Sequence, residues 1–432
     1  MSILIKNTNL ISMADGRPKI EESMDVFINN NIIEKITKGI EPKKGTKVIE
    51  GTGKVTMPGL INTHAHVAMS IFRETLDGYN LQEWLENKIW PMEDKLIGKD
   101  IYYGSYLSFI EMIRNGCTCI NDMYFLPEYS IKAAVETGVR LQTTRTLFSS
   151  DVDKRLAELK DLINKYKDND TISINVGIHG LYTTNEDDLK KILRFAKKQN
   201  LHVHMHFCEN NKEVQDIITS YNVKNPVDVI EKYFKDIPAI LAHCVKLTDK
   251  EIEDISKYKN ISISHCPVSN LKLGCGVAKI QKMIDNDITV SLGTDGQGSG
   301  SNLDMFETMK FTALLQKGIN ENPKDMPAYE VLKFATINGA KALNLENKIG
   351  SIEEGKCADL IVVNIDKENM KPLNNIFANI VYNAKGTNVE TSIVNGKVLM
   401  ENRKINYIDE KKIYNECEKI IKRINNKQDQ GD

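Results

Sequence analysis

Apolar residues recur along this chain in two textures. Residues 3–11, 24–28 and 32–36 are short runs joined by tight turns, the last two flanking Asn29-Asn30-Asn31, and they predict a β module. The same texture returns at the far end, where residues 358–364 form a buried-strand run and residues 391–394 and 397–400 flank Asn395-Gly396. That dipeptide predicts a hairpin, because both central positions of a type I′ turn require positive φ. The two ends are therefore expected to join in one β-sandwich, with a final amphipathic helix over residues 410–425 presenting Ile413, Cys417, Ile420, Ile421 and Ile424 on one face.

Between the ends, eight short apolar or alternating runs can be counted, over residues 56–63, 117–122, 139–144, 172–178, 201–207, 239–244, 261–265 and 288–294. Most are separated by amphipathic, Lys/Glu-rich stretches such as 186–199, the alternation of a parallel sheet. Eight such units, with no GxGxxG after any of them, predict an α/β fold: a (β/α)8 barrel rather than an open doubly wound sheet. The expected organisation is a first part of the sandwich over 1–56, the barrel over 57–348, and the second part of the sandwich with its helix over 349–432.

Composition narrows the function. The 432 residues carry 57 Lys plus Arg against 59 Asp plus Glu, a net charge of −2 that offers no general attraction for nucleic acid or anionic lipid. No apolar stretch approaches the roughly 20 residues of a membrane span. The first residues lack the pattern of a secretion signal, and eight cysteines without a CxxC pair fit a reducing compartment, so a cytoplasmic location is expected.

The chemistry lies in the histidines. All eight fall in the alternating region, most at or near predicted strand ends: His64, His66, His179, His202, His204, His206, His243 and His265. A barrel builds its active site at those ends. In His64-Ala-His66 the two-residue spacing turns both imidazoles to one side. Asp295, in Gly-Thr-Asp295-Gly after the last run, offers a carboxylate. Along His202-Val-His204-Met-His206 all three rings share a face, and spacing alone does not choose among them; position favours His206, the last before the loop. Three imidazoles and one carboxylate with room for water compose a catalytic zinc or iron site, where a structural site would be closed and rich in thiolate. Glu209 lies on the loop after His206, within reach of that water, as a proton carrier.

These residues resemble the amidohydrolase superfamily in its aminohydrolase branch. The resemblance rests on Met57-Pro-Gly-Leu-Ile-Asn-Thr-His64-Ala-His66, His206-x-x-Glu209, Ala242-His243-Cys, Cys266-Pro-Val-Ser-Asn-Leu-Lys-Leu273 and Gly293-Thr-Asp295, and it covers nearly the whole chain. More narrowly, Leu81-Gln-Glu-Trp84 through Trp90-Pro-Met-Glu93 is similar to the 5′-methylthioadenosine/S-adenosylhomocysteine deaminases. The resemblance implies one divalent cation, zinc or alternatively ferrous iron, on His64, His66, His206 and Asp295. It implies Glu209 as proton shuttle and His243 as the residue that orients the attacking water, with Asp295 accepting that water's proton. It implies Glu93 on the ribose hydroxyls, Trp84 as an aromatic wall, and His179 and Arg145 as further substrate contacts. Arg155 is the expected second arginine for a homocysteine carboxylate.

The run 172–178 and His179 contain no lysine to bridge two metals, which favours one metal and deamination over two-metal hydrolysis. The expected reaction is hydrolytic deamination of a 5′-substituted adenosine to its inosine analogue with release of ammonia. Competing substrates within the branch are 5′-deoxyadenosine, adenosine, guanine and chlorotriazines, of which Glu93 favours a nucleoside. A two-metal amide hydrolase and a non-catalytic scaffold are the other classes. A small-molecule substrate is the expected partner, without nucleic acid or membrane, and a homo-oligomer is compatible with such a fold.

Overall fold

The computed structural model of the protein describes residues 2–75 and 77–426; residues 1 and 427–432 of the two expected sandwich parts lie outside the described residues. The N-terminal strands are β1 (Ser2–Leu10), β2 (Glu21–Asn29), β3 (Ile32–Thr37), β4 (Lys47–Glu50) and β5 (Lys54–Pro58). β1, β2 and β3 pair antiparallel in sequence, and the β2–β3 turn falls where the three asparagines stand, with Asn30 at φ 54°.

The parallel strands follow: β6 (Leu60–Ala65), β7 (Cys117–Asp122), β8 (Arg140–Thr143), β9 (Ile172–Ile174), β10 (Val176–Gly180), β11 (Val203–Phe207), β12 (Ala239–His243), β13 (Ile261–His265) and β14 (Thr289–Leu292). β6 to β9 form one four-stranded parallel sheet and β10 to β14 a five-stranded one, each in chain order. A parallel bridge between Leu147 and Ile178 ties them on one side. On the other, Asp295 N donates to His64 O at 3.0 Å, and Thr63 Oγ1 lies 2.7 and 2.8 Å from the hydroxyls of Ser264 and Ser291.

The helices between them follow their sequence signals. In Glu186–Gln199 the Asn185 side chain accepts from Asp188 N, acidic residues fill the first turn, Lys197 and Lys198 the last, and Asn200 ends it in the left-handed region. Leu189, Ile192, Leu193 and Ala196, spaced at three and four residues, are the face it buries.

β15 (Leu360–Asn364), β16 (Val389–Val394) and β17 (Lys397–Met400) bring the far end of the chain back. Together with β1 to β5 they make one mixed eight-stranded sheet, in the order β17-β16-β15-β5-β1-β2-β3, with β4 beside β1. The hairpin turn has Asn395 at φ 48° and Gly396 at φ 72°, both positive as the type I′ geometry demands. Ile3, Ile5, Val26, Ile28 and Ile33 of the first strands share one core with Leu360, Val362 and Ile393. The last helix, Glu410–Asn426, buries Ile413, Cys417, Ile420 and Ile424 in the other, larger core, with Tyr106 and Phe109, and Ile421 is partly buried against it.

Two of the expected runs divide. Residues 56–63 split at Gly59: Lys54–Pro58 pairs with β15 in the mixed sheet and Leu60–Ala65 begins the parallel one. A Cβ at Gly59 would stand 2.0 Å from Thr118 Oγ1, so only glycine lets the chain pass between the sheets. Residues 172–178 divide at Asn175, whose N–H donates to Thr143 O and whose side chain turns inward to Asn121. Among the described residues no helix is long and apolar enough to cross a membrane.

Candidate active site

The ends of β6, β11, β12 and β14 converge on one cluster of donors. Asp295 Oδ1 lies 3.5 Å from His64 Nε2 and 3.2 Å from His66 Nε2, and His206 Nε2 is 3.3 Å from His66 Nε2. The imidazole tautomers follow from their partners. His66 Nδ1 donates to Met123 O and His206 Nδ1 to His179 O, each at 2.5 Å. A carbonyl only accepts, so Nδ1 carries a proton in both rings and Nε2 is the nitrogen whose lone pair a cation would take. His64 Nδ1 shares a 2.8 Å hydrogen bond with His204 Nε2, and its own Nε2 is buried without a hydrogen-bond partner among the described residues.

Electron-rich atoms crowded in this way require a positive charge between them, and the residues fit a divalent metal ion. His64, His66 and Asp295, and likewise His64, His206 and His243, bring ligand atoms within 4.8 Å of one another. A proton competes for the same place. Burial alone would lower the basicity of His66, but the Asp295 carboxylate beside it prevails and pushes it up to about 9. Asp295, which burial alone would raise, is held well below the usual carboxylate range by the two histidines. The hydroxyls of Ser269 and Ser299 donate to its Oδ2 at 2.6 and 3.1 Å. Asp295 and His243 both have positive φ, 63° and 74°, local strain of the kind found where a side chain must be aimed.

His243 Nδ1 is 2.8 Å from Asn270 Oδ1 and donates to it, which leaves Nε2 facing Glu209 Oε2 at 3.6 Å. Glu209 is 5% exposed; burial, then the nearby Asp295 charge, raises its carboxyl to about 8. Glu93 accepts from Tyr124 OH at 2.6 Å and is raised to about 7, again chiefly by burial.

A cavity opens onto this cluster. His66, His206, Glu209, His243 and Asp295 line it with Glu93, His179 and Trp84. Its apolar wall comes largely from the segment 81–93. Asn80 and Glu83 cap the first turn reciprocally, and the helix then widens so that Trp90 N–H reaches back five residues to Leu85 O. Such a widened turn is common at functional sites, and this one sets Trp84, Leu85, Ile89 and Trp90 all against the cavity. His179 stacks on Phe148 with ring centroids 4.7 Å apart, and its Nδ1 lies 3.2 Å from the Thr183 hydroxyl.

The two arginines part company. Arg145 is turned away from the cavity into ion pairs with Glu158 at 2.7 Å and Glu128 at 3.9 Å, and it lines a separate outer depression. Arg155, tied to Asp151 and to Thr146 O, lines a second chamber with Phe148, Ser150 and Thr183. That chamber adjoins the first through Trp90, Glu93 and Phe125. The remaining histidines lie deeper: His204 and His202 are joined through Asn121 and Asn175, and His265 is fully buried.

Sequence reasoning missed the residues that hold the cluster in place. Ser269 and Asn270 stand inside the motif Cys266-Pro-Val-Ser-Asn-Leu, so a signal for them existed. Tyr124 carried none, because nothing in a sequence places it beside Glu93.

A zinc-bound adenosine deaminase from Xanthomonas campestris superposes with a TM-score of 0.94 at 27% identity, covering 98% of each chain. The chain is 41% identical over 426 residues to the 5-methylthioadenosine/S-adenosylhomocysteine deaminase of Caldanaerobacter subterraneus subsp. tengcongensis, covering 97% of this chain and 98% of that one. It is 42% identical over 416 residues to the 5′-deoxyadenosine deaminase of Methanosphaera stadtmanae, covering 95% and 96%. Residues 55–399 match the Amidohydrolase family, and with relatives of that similarity over nearly its full length the chain belongs to it.

Proposed function

We propose that the protein is a hydrolytic deaminase of 5′-substituted adenosines, converting them to inosine analogues with release of ammonia. The observation that carries this reading is that two buried carboxyls of raised proton affinity, Glu93 and Glu209, line one cavity with the histidine–aspartate cluster. Glu93, steadied by Tyr124, accepts from the ribose hydroxyls; a free base would leave it without a task. Trp84 supplies an aromatic wall for the purine, and His179 a further contact.

His64, His66, His206 and Asp295 would hold one divalent cation, zinc on the analogy of the zinc-bound relative, with ferrous iron compatible with the same donors. When bound, the cation makes water acidic enough to attack at neutral pH. Protonated Glu209 delivers its proton to purine N1, which makes C6 electrophilic. His243 orients the water, and Asp295 takes a proton from it as it adds to C6. That proton passes to the exocyclic amine, and as the C–N bond breaks and ammonia leaves, the new C6 hydroxyl gives its proton back to Glu209, leaving the inosine carbonyl.

The chamber holding Arg155 adjoins Glu93 and so stands where a 5′ substituent would extend, which favours substrates with a long or anionic 5′ group. Arg145, in its ion pairs, contributes only by leaving them. A second reading, 5′-deoxyadenosine as preferred substrate, is favoured by relatives of that name at equal identity. The architecture belongs to the same proposal: the two parallel sheets act as one (β/α)8 barrel over 57–348, supported by the Leu147–Ile178 bridge and the Asp295–His64 hydrogen bond. The mixed sheet folding over its shared core as a sandwich, from the described residues of 1–56 and 349–432, belongs to it as well. Eight free cysteines support a cytoplasmic setting.

The test is ammonia release by metal-analysed protein from methylthioadenosine, S-adenosylhomocysteine, 5′-deoxyadenosine, adenosine and guanine, with Glu93→Ala in parallel. Turnover of the 5′-substituted nucleosides that Glu93→Ala abolishes is expected. A fully metallated protein that releases no ammonia from any of them would overturn the proposal.

A further inference from the structure

Glu209 is the last residue of the cluster to be placed and has the least obvious support. β11 ends at Phe207, and the chain must then turn sharply to aim a carboxyl back at the cavity. Cys208 makes that turn in the left-handed region, φ 53°, a conformation unfavourable for a residue with a side chain. The turn leaves two successive backbone N–H groups, those of Cys208 and Glu209, buried and pointing the same way.

A single side chain receives both. Glu213 Oε1 accepts from Cys208 N at 2.9 Å and Glu213 Oε2 from Glu209 N at 2.7 Å. Glu213 is 3% exposed and forms no ion pair among the described residues, so these two amides are what its carboxylate is there to bind. It is anchored in turn: its own N–H donates to Asn210 Oδ1 at 2.8 Å, the cap of the helix Asn211–Tyr221. Asn210 Nδ2 donates to Gln82 Oε1 at 2.9 Å, on the segment that carries Trp84.

We propose that Glu213 is a positioning residue for the reaction, clamping the Cys208–Glu209 backbone so that the Glu209 carboxyl meets the substrate. The proposal rests on the proton-carrying role given to Glu209 above. Glu213 touches neither substrate nor the reacting atoms, and its whole effect passes through Glu209. Substrate binding, carried by Glu93 and Trp84, does not depend on it.

Glu213→Gln is the informative change, because the amide keeps one acceptor and turns an NH2 against the second backbone N–H. The experiment is a double-mutant cycle of Glu213→Gln with Glu209→Gln, read as kcat, KM and metal per chain. In the otherwise native protein, Glu213→Gln lowers kcat by about 10- to 100-fold, the range that misplacement of a reacting group produces, with KM and metal content little changed. Beside Glu209→Gln it costs no more than about twofold, since contacts acting as one unit are not additive. A loss of equal size in both backgrounds overturns the clamp. So does native kcat in Glu213→Gln while Glu209→Gln is impaired, which leaves the role of Glu209 standing. Native kcat in Glu209→Gln overturns both. Should Glu213→Gln fail to fold, Glu213→Asp, which keeps the charge and shortens the reach, enters the same cycle and is judged by the same two outcomes.

Discussion

Two residues set the behaviour of the site with pH. Glu209 must bring a proton to the substrate, and burial with the Asp295 charge beside it holds that proton up to about 8. Below that value the acid form prevails; as pH rises through it the donor is lost. The expected outcome is a kcat that falls on the alkaline side as this proton is lost, measured against a substrate that does not itself titrate there, with the limb absent in Glu209→Gln. His66 gives the second prediction. In the metal-free site it is protonated up to about 9, so a cation entering at pH 7 must displace that proton. Calorimetric titration of the apoprotein with zinc in buffers of different ionisation enthalpy should report net proton release. Heats independent of the buffer would show that His66 is already neutral.

At the scale of elements, the site depends on strand ends that pack without slack. Gly293 follows β14, and a Cβ there would come within 2.7 Å of His64 Cβ, 2.8 Å of Ser264 Oγ and 2.9 Å of Cys266 Sγ. Gly293→Ala should therefore displace His64 and lose metal and activity together, which metal analysis of the purified variant checks. Full metal content in that variant would contradict the argument. The same closeness explains what the sequence made legible. His64, His66, His206 and Asp295 could be read because strand alternation and strand-end position are local facts, and the Asn395-Gly396 hairpin because its turn chemistry is local too. Arg145 illustrates the converse. The family resemblance implied a substrate contact, but whether it faces the cavity or Glu158 is decided by the packing of the helix Val152–Tyr166, which no local pattern records. The short parallel strand β4 and the break at Gly59 escaped for the same reason: partners far away in sequence decide both.

Across the whole molecule, one buried ion pair ties the parallel strands to the mixed sheet. Arg140, at the start of β8, donates from Nε and Nη2 to both carboxylate oxygens of Asp359, at 2.7 and 3.0 Å, and from Nη1 to Asp170 O. Asp359 also accepts from Asn395 N at the hairpin turn. Both side chains are almost wholly enclosed, so removing one leaves an uncompensated charge. Asp359→Ala should cost about 3–5 kcal/mol of stability, read as a lowered denaturant midpoint. A loss below about 1 kcal/mol would mean that water reaches Arg140.

The pairing of β5 with β15 also has a consequence for how the protein is made. Pro58 lies opposite Leu360, so the strand next to the first parallel strand waits roughly 300 residues for its neighbour. At about 5–20 residues per second, a ribosome needs roughly 15–60 s to supply it. Throughout that interval one edge of the N-terminal strands is an open template for other nascent chains. For this enzyme the hazard lies in synthesis rather than in the finished fold, and yield should respond to translation speed and chaperone supply more than to mutations that raise the melting temperature.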